Sequence, residues 1–233
     1  MPPPAAELAL VYFFQWYGMV CYWQFIALSI GQTLFPATQD GKEEAVAWTG
    51  LVNGWYNIVT FCVAFPLVAF AKQRGAKLVH CVCLLLAAVG LAIVPAVGNQ
   101  YLVFVPIIGL GIAWASIMGV PYIMAVRMIP STRFGVYMGI INMMIVVPML
   151  IQSVTFGPVY SGLLGDDPSN AIRFAAAFLA IAGLLMLWIK EPPIVRDVDD
   201  VATCPLPATE KGRRHGDEGL PHDRRRHRRL TSR

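Results

Sequence analysis

The chain has 233 residues, of which 57% are hydrophobic and only 14% are charged, and its mean hydropathy is +0.59. A soluble domain carries about 25% charged residues, so this chain has too few charged side chains to cover the surface of a soluble fold. The composition therefore excludes an ordinary soluble protein and predicts a chain embedded in lipid.

The charges are unevenly distributed along the chain. Residues 194–233 contain ten of the 18 basic residues and seven of the 14 acidic ones. The net charge of +4 thus comes mainly from the end of the chain. Residues 1–193 are nearly neutral, which gives no support to a nucleic-acid-binding surface on them. We expect no nucleic-acid partner.

Six segments are long and apolar enough to cross a membrane. A span needs about 20 mainly apolar residues, because the hydrocarbon core is about 30 Å thick and a helix rises about 1.5 Å per residue. We predict an all-α membrane protein with a six-helix transmembrane domain over residues 1–193. In chain order the predicted spans cover residues 8–35, 48–71, 78–96, 101–126, 136–160 and 171–189.

The connections between these spans alternate in charge. Basic residues occupy the second and fourth connections and follow the last span, whereas the first, third and fifth connections are acidic or neutral. Because cytoplasmic loops are enriched in Lys and Arg, both termini are predicted to be cytoplasmic, and the expected location is a plasma membrane such as the bacterial inner membrane. The basic residues concerned are Lys72, Arg74, Lys77, Arg127, Arg133, Lys190 and Arg196.

The first span is expected to be retained, because the start Met1-Pro2-Pro3-Pro4 lacks the basic segment of a cleavable signal peptide.

Four of the five cysteines lie in apolar runs. The Cys81-Val82-Cys83 pair lacks the two-residue spacer of zinc and thioredoxin-like sites, so a packing role is expected for these cysteines.

No catalytic constellation is visible in the sequence. His80 is the only histidine before residue 194, and no serine, cysteine or paired carboxylate lies at a spacing that would place it beside His80. No metal or phosphate-loop motif is present, and no charged residue lies in the middle of a span. We therefore expect no enzyme activity and no cofactor.

Uncharged polar and aromatic side chains inside the spans are the candidate functional groups. Amides can hydrogen-bond to sugar hydroxyls and aromatic rings can stack on sugar C–H faces, but such amides also hold membrane helices together. Small residues four apart, at Gly50/Gly54 and Gly135/Gly139, predict close helix packing. The polar and aromatic candidates are Gln15, Trp16, Gln24, Gln32, Asn53, Trp55, Asn57, Trp114, Tyr122, Asn142 and Gln152.

After Pro192-Pro193 the composition changes to acidic and then strongly basic residues. Such a segment cannot bury enough apolar surface to fold, so residues 194–233 are predicted to be a disordered, charged cytoplasmic tail. The alternative is a polybasic strip, at residues 224–229, that contacts anionic lipid or nucleic acid.

Three stretches resemble the carboxy-terminal half of sucrose/proton symporter-like members of the major facilitator superfamily, relatives of the glycoside-pentoside-hexuronide cation symporters. They are FFQWYG at residues 13–18, TGLVNGWYN at 49–57 and RFGVYMGIIN at 133–142. Members have twelve helices in two halves, so the resemblance implies that residues 8 to about 191 form helices seven to twelve. The chain would then be one six-helix half of a major facilitator superfamily transporter.

The resemblance implies sugar/proton symport of a disaccharide such as sucrose or maltose by alternating access, in which two halves rock about a midplane site. Its small-molecule partners would be a sugar and a proton, and membrane lipid would surround it. The family's helices seven, eight, ten and eleven line the cavity. On that basis the substrate-binding candidates are Gln24, Asn53, Asn57, Trp114, Tyr122 and Asn142.

The connection at residues 72–77 resembles a degenerate copy of the superfamily's cytoplasmic loop motif, with Ala76 in place of a second base. The resemblance assigns a gating role to Lys72, Arg74, Gly75 and Lys77. Arg127 and Arg133 flank Pro130 on the same side and have either a related gating role or a positive-inside anchoring role.

In this family the proton-coupling residues generally belong to the first half. A lone second half is expected to be a truncated product, or to pair with a separate amino-terminal half or with itself. The alternative, from a different functional class, is a non-transporting membrane scaffold or sensor built on a transporter-like helix bundle.

Overall fold

The computed structural model describes the backbone of residues 3–128 and 134–189 and most of their side chains, apart from those of residues 3–6, 121–128, 134 and 137. The regular structure of these residues is entirely helical, which confirms the predicted all-α fold for them. Residues 194–233 lie outside this part, and both interpretations of that segment stay predictions. The helices are α1 (Pro3–Leu34), α2 (Gln39–Arg74), α3 (Ala76–Ile93), α4 (Phe104–Met128), α5 (Phe134–Gly162) and α6 (Pro168–Met186), and a short 3₁₀ turn, Val94–Ala96, follows α3.

Four of these helices are long and apolar enough to cross a membrane, over Gln39–Arg74, Ala76–Ala96, Met138–Gly162 and Pro168–Met186. The described apolar part of α4, Phe104–Val120, is shorter. Helix α1 has 32 residues, but the amides of Gln15, Gln24 and Gln32 lower its hydropathy. The chain is thus a helical membrane protein, and the crossing of the membrane by α1 and α4 stays a prediction.

Helix α2 is longer than the predicted span at 48–71, because it begins at Gln39. The side chain of Thr38 caps this end by accepting a hydrogen bond from the Gly41 N–H, at 3.1 Å. Asp40 lies in the first turn, where a negative charge interacts favourably with the helix dipole. The charged residues predicted to form a connection are therefore in the first turns of a helix that extends past its apolar part.

One residue, Gly75, separates α2 from α3. Its φ of 97° is in a region that other residues rarely adopt, and its N–H donates to the carbonyl oxygen of Ala71 at 3.1 Å. Because of this φ, a side chain at this position would be strained. The predicted gating connection is consequently a sharp, single-residue break between two helices.

Among the four helices that are long and apolar enough to cross a membrane, α3 and α6 are the most enclosed. Helix α6 packs on α1 and α3, α4 packs on α2 and α3, and α5 packs on α1. Of the most apolar 18 residues of each helix, 61% are buried in α3 and 50% in α6, but only 17% in α2 and 22% in α5. Helices α2 and α5 therefore present wide uncovered faces that carry large apolar side chains such as Phe61, Phe65 and Val154.

Close contacts between helices occur at glycines other than those predicted. A Cβ at Gly109 would lie 2.5 Å from the carbonyl oxygen of Leu86, and one at Gly90 would overlap the carbonyl oxygen of Pro106, so α3 and α4 approach reciprocally. The predicted pairs behave differently: at Gly50, Gly54, Gly135 and Gly139 a Cβ would meet no atom of the described structure within 4 Å. Within this part of the chain, those pairs do not hold helices together.

Candidate functional site

Three tryptophans from two helices form a cluster. Trp16 and Trp23 are two turns apart on one face of α1, and the ring of Trp114 on α4 lies edge-on to both, with centroid distances of 6.0 Å to Trp16 and 5.4 Å to Trp23. Trp16 is only 6% exposed, whereas Trp23 is 36% exposed. The cluster therefore extends from the buried ring of Trp16 to the partly exposed ring of Trp23.

An amide pair lies next to this cluster along α1. The Nε2 of Gln152 on α5 donates to the Oε1 of Gln24 at 2.9 Å and lies 3.5 Å from the sulfur of Cys21. Gln152 is fully buried, but Gln24 is exposed. The amide nitrogen of Gln24 is consequently available to a ligand, and Gln24 directly follows Trp23 in α1.

Two further candidates, Asn53 and Asn57, form bonds that stabilise helices. The hydroxyl of the buried Tyr22 donates to Asn53 Oδ1 at 2.8 Å and so joins α1 to α2. The side chain of Asn57 donates to the backbone oxygen of Asn53 in the same helix, also at 2.8 Å. Both geometries suit the packing role that the sequence left open for these amides.

The remaining predicted residues are dispersed. Asn142 is exposed on α5, and Lys72 and Arg74 are exposed at the end of α2, where the guanidinium of Arg74 lies 5.6 Å from the centroid of Phe70. Lys77 is half-buried. Three predicted residues fall outside what the structure describes: the side chains of Tyr122 and Arg127, and all of Arg133.

A buried polar network links α1, α3 and α4 and was not predicted. His80 Nδ1 lies 2.7 Å from Ser116 Oγ, and His80 Nε2 lies 3.0 Å from Gln15 Oε1, with all three residues fully buried. Because an amide oxygen only accepts, Nε2 carries the proton, and Nδ1 can accept from the serine hydroxyl. The partners are 36 and 65 residues from His80, so local spacing gave no signal beyond the presence of a polar residue in each apolar span.

Several buried polar atoms have no hydrogen-bond partner among the described residues. They include Gln15 Nε2, Trp16 Nε1 and Gln152 Oε1. Unpaired buried groups are rare because each costs about 1–3 kcal/mol. Trp16 belongs to the tryptophan cluster and Gln152 to the amide pair, so each of these two groups contains one buried polar atom without a partner among the described residues. We define the candidate site as Trp16, Trp23, Gln24, Trp114 and Gln152.

The site offers rings and amides rather than charged or metal-binding groups. In the part of the chain that the structure describes, no three His, Cys, Asp or Glu side chains come close enough together to hold a metal ion. Comparisons of the chain with protein-family models, with curated proteins and with solved structures gave no match. The likeness to major facilitator transporters consequently rests on the sequence resemblance alone, in the three stretches and the connection at residues 72–77.

The Gln24–Gln152 contact leads to a test of stability. Replacing Gln24 with alanine should lower the free energy of unfolding by about 1–2 kcal/mol, because the buried amide nitrogen of Gln152 loses its amide acceptor. Gln152→Met removes the buried amide altogether at similar volume and should cost less. Thermal unfolding of the purified variants in detergent measures both changes. A larger loss for Gln152→Met would contradict this account of the pair.

Proposed function

We propose that this chain is one six-helix half of a secondary active sugar transporter of the major facilitator superfamily. The assembled protein would carry out sugar/proton symport of a disaccharide such as sucrose or maltose. The observation that carries the proposal is the exposed ring of Trp23, in edge contact with the half-buried Trp114, together with the exposed amide of Gln24 that follows Trp23 in α1. An aromatic ring and neutral hydrogen-bonding groups side by side are the chemistry that a sugar needs, since its C–H faces stack and its hydroxyls hydrogen-bond.

The uncovered faces of α2 and α5 support the assignment to one half of a larger bundle. Both helices are mostly unburied, and the glycine pairs Gly50/Gly54 and Gly135/Gly139 contact nothing in the described structure. Glycines at this spacing allow a second helix to approach closely. In the proposed transporter an amino-terminal six-helix bundle packs on these faces and supplies the other wall of the site and the proton-coupling group.

The proposal includes an orientation and a gate. The alternating loop charges support a plasma-membrane protein, in bacteria one of the inner membrane, with both termini in the cytoplasm. The break at Gly75 and the flanking bases Lys72, Arg74 and Lys77 would then face the cytoplasm, where they act in closing the cavity. Arg127 and Arg133 are assigned to the same side.

The second candidate function is a non-transporting scaffold or sensor. It is favoured by the polar bonds that join helices within the bundle, such as Tyr22 to Asn53 and Thr60 Oγ1 to the Gly111 oxygen at 2.8 Å. A scaffold needs these bonds but has no need of an open aromatic and amide surface. The two functions differ in whether any sugar crosses the membrane.

Uptake of labelled sucrose and labelled maltose into proteoliposomes separates the two functions. The chain is reconstituted alone and together with a co-expressed amino-terminal half. We expect accumulation of sugar in the combined preparation when the external pH is lowered, and only background uptake by the chain alone. Background uptake of both sugars in both preparations, with folded protein, would contradict transport.

Asn142 lies outside the candidate site defined above, and only the family resemblance assigns it to the cavity. On that assignment, Asn142→Ala is expected to reduce uptake by the combined preparation about tenfold, the equivalent of one lost hydrogen bond to the substrate. The side chain is exposed on α5, so its removal should leave the amount of protein in the membrane unchanged. Ser153→Ala is the matched control, because this exposed serine on α5 already donates to the Met149 oxygen at 2.9 Å. Loss of membrane protein in Asn142→Ala would favour a packing role instead.

A further inference from the structure

An apolar groove runs between the end of α2 and the start of α3. One wall is formed by α2, through Leu67, Phe70 and Arg74, of which the second and third lie about one and two helical turns after the first. The other wall is formed by α3, through Leu78, Val82 and Leu86, which are four residues apart. The groove has a volume of about 570 Å³. It extends about 12 Å along α3, since eight residues separate Leu78 from Leu86.

The groove is open to the surroundings of the protein. About half of the surface of each of Phe70, Leu78, Val82 and Leu86 is exposed, at 49%, 55%, 48% and 46%. The groove is also lined by Val79 and Cys83 of α3 and by Ile112 of α4, which belong to the packed core between these helices. The groove is therefore a concave apolar channel on the outside of the bundle.

The mouth of this groove is positively charged. The exposed guanidinium of Arg74 lies over the ring of Phe70, and it forms no ion pair with any acid in the described part of the chain. Lys72 lies in the last turn of α2 and Lys77 in the first turn of α3, on either side of Gly75. The sequence contains no Asp or Glu between Glu44 and Asp166, so neither α3 nor the part of α2 that lines the groove carries an acidic residue.

We propose that this groove is a binding site for one anionic phospholipid. An acyl chain would lie along Leu78, Val82 and Leu86, and the phosphate would accept hydrogen bonds from Arg74. A free anion would leave the apolar channel unused. The phosphate of phosphatidylcholine could also pair with Arg74, but its choline adds a positive charge next to the basic residues of the mouth, whereas an anionic headgroup adds none. The site is at the end of the bundle that the loop charges predict to be cytoplasmic, where anionic lipids are enriched. It does not depend on transport.

Native mass spectrometry of the full chain in detergent tests the site, with phosphatidylglycerol and phosphatidylcholine as probes. The wild type should retain phosphatidylglycerol in preference to phosphatidylcholine. Arg74→Gln should retain about fivefold less phosphatidylglycerol, the effect of one base at an anionic surface, and Arg74→Lys should retain most of it. Val82→Trp fills the groove and should lose both lipids.

Two matched variants control for general effects. Arg173→Gln removes an exposed arginine whose guanidinium already donates to Asn170 Oδ1 at 3.0 Å, and Val154→Trp adds a ring at a position that is 79% exposed on α5. Both should retain lipid as the wild type does. Residues 224–229 are present in every variant, so any lipid they hold cancels in the comparison.

The site would be excluded if the wild type retained both lipids equally, or if Arg74→Gln and Arg173→Gln lost phosphatidylglycerol to the same extent. Circular dichroism and thermal unfolding show whether each variant is folded. If Val82→Trp does not fold, the comparison of Arg74→Gln with Arg74→Lys, at an exposed position, decides the question.

Discussion

Gly109→Leu is expected to prevent normal packing of the bundle. A Cβ at this position would lie 2.5 Å from the backbone oxygen of Leu86, and a backbone atom cannot rotate away as a side chain can. Helix α4 would have to move off α3, which also disturbs the reciprocal contact between Gly90 and Pro106. We expect a loss of about 3 kcal/mol or more in the free energy of unfolding, at the upper end of the range for overpacked interiors.

The thermal midpoint and the size-exclusion profile of the purified variant in detergent measure this effect. Gly54→Leu is the control, because it makes the same change at a helical glycine where a Cβ meets nothing within 4 Å. Equal stability of the two variants would mean that α3 and α4 do not pack as described.

Gly54→Leu is expected to abolish uptake while leaving the isolated chain as stable as the wild type. In the proposed transporter, a helix of the amino-terminal half packs on the uncovered face of α2, at Gly50 and Gly54. A leucine side chain would prevent the close approach of that helix. Copurification of the two halves and labelled-sugar uptake measure the loss. Gly139→Leu should act in the same way on α5.

Ala177→Leu is the control for this second effect. It is also a small-to-large change at an exposed helical position, but it lies on α6 and not on α2 or α5, the two helices with wide uncovered faces. The two halves should copurify as in the wild type. Normal association of Gly54→Leu would contradict a partner on the α2 face, and loss of association in Ala177→Leu would point to a different face.

The positions of the helices could be predicted because apolar residues dominate each one. The beginning of α2 could not, since it depends on the Thr38 cap and on a helix that continues through charged residues beyond its apolar part. A hydropathy pattern reports where a chain can enter lipid, and local hydrogen bonds decide where the helix begins.

The candidate site was predictable only in part. Trp16, Gln24, Trp114 and Gln152 were recognised as polar and aromatic groups in apolar spans, but the contact of Trp114 with Trp16 and Trp23 depends on which face of α4 is turned towards α1. Spacing within one helix fixes a shared face without identifying the helix opposite it. The same reason accounts for the network of His80, and for the glycine pairs whose expected partner helix does not lie in the described structure.

The central claim is that the tryptophan cluster and its neighbouring amides bind a sugar. Its most direct test is the intrinsic fluorescence of the two assembled halves, titrated with sucrose and with maltose. We predict a saturable change for one of these sugars that is lost in Trp23→Phe and retained in Trp188→Phe, which alters a ring that is 78% exposed at the end of α6. A change retained in Trp23→Phe, or no change with either sugar in folded, assembled protein, would contradict the account.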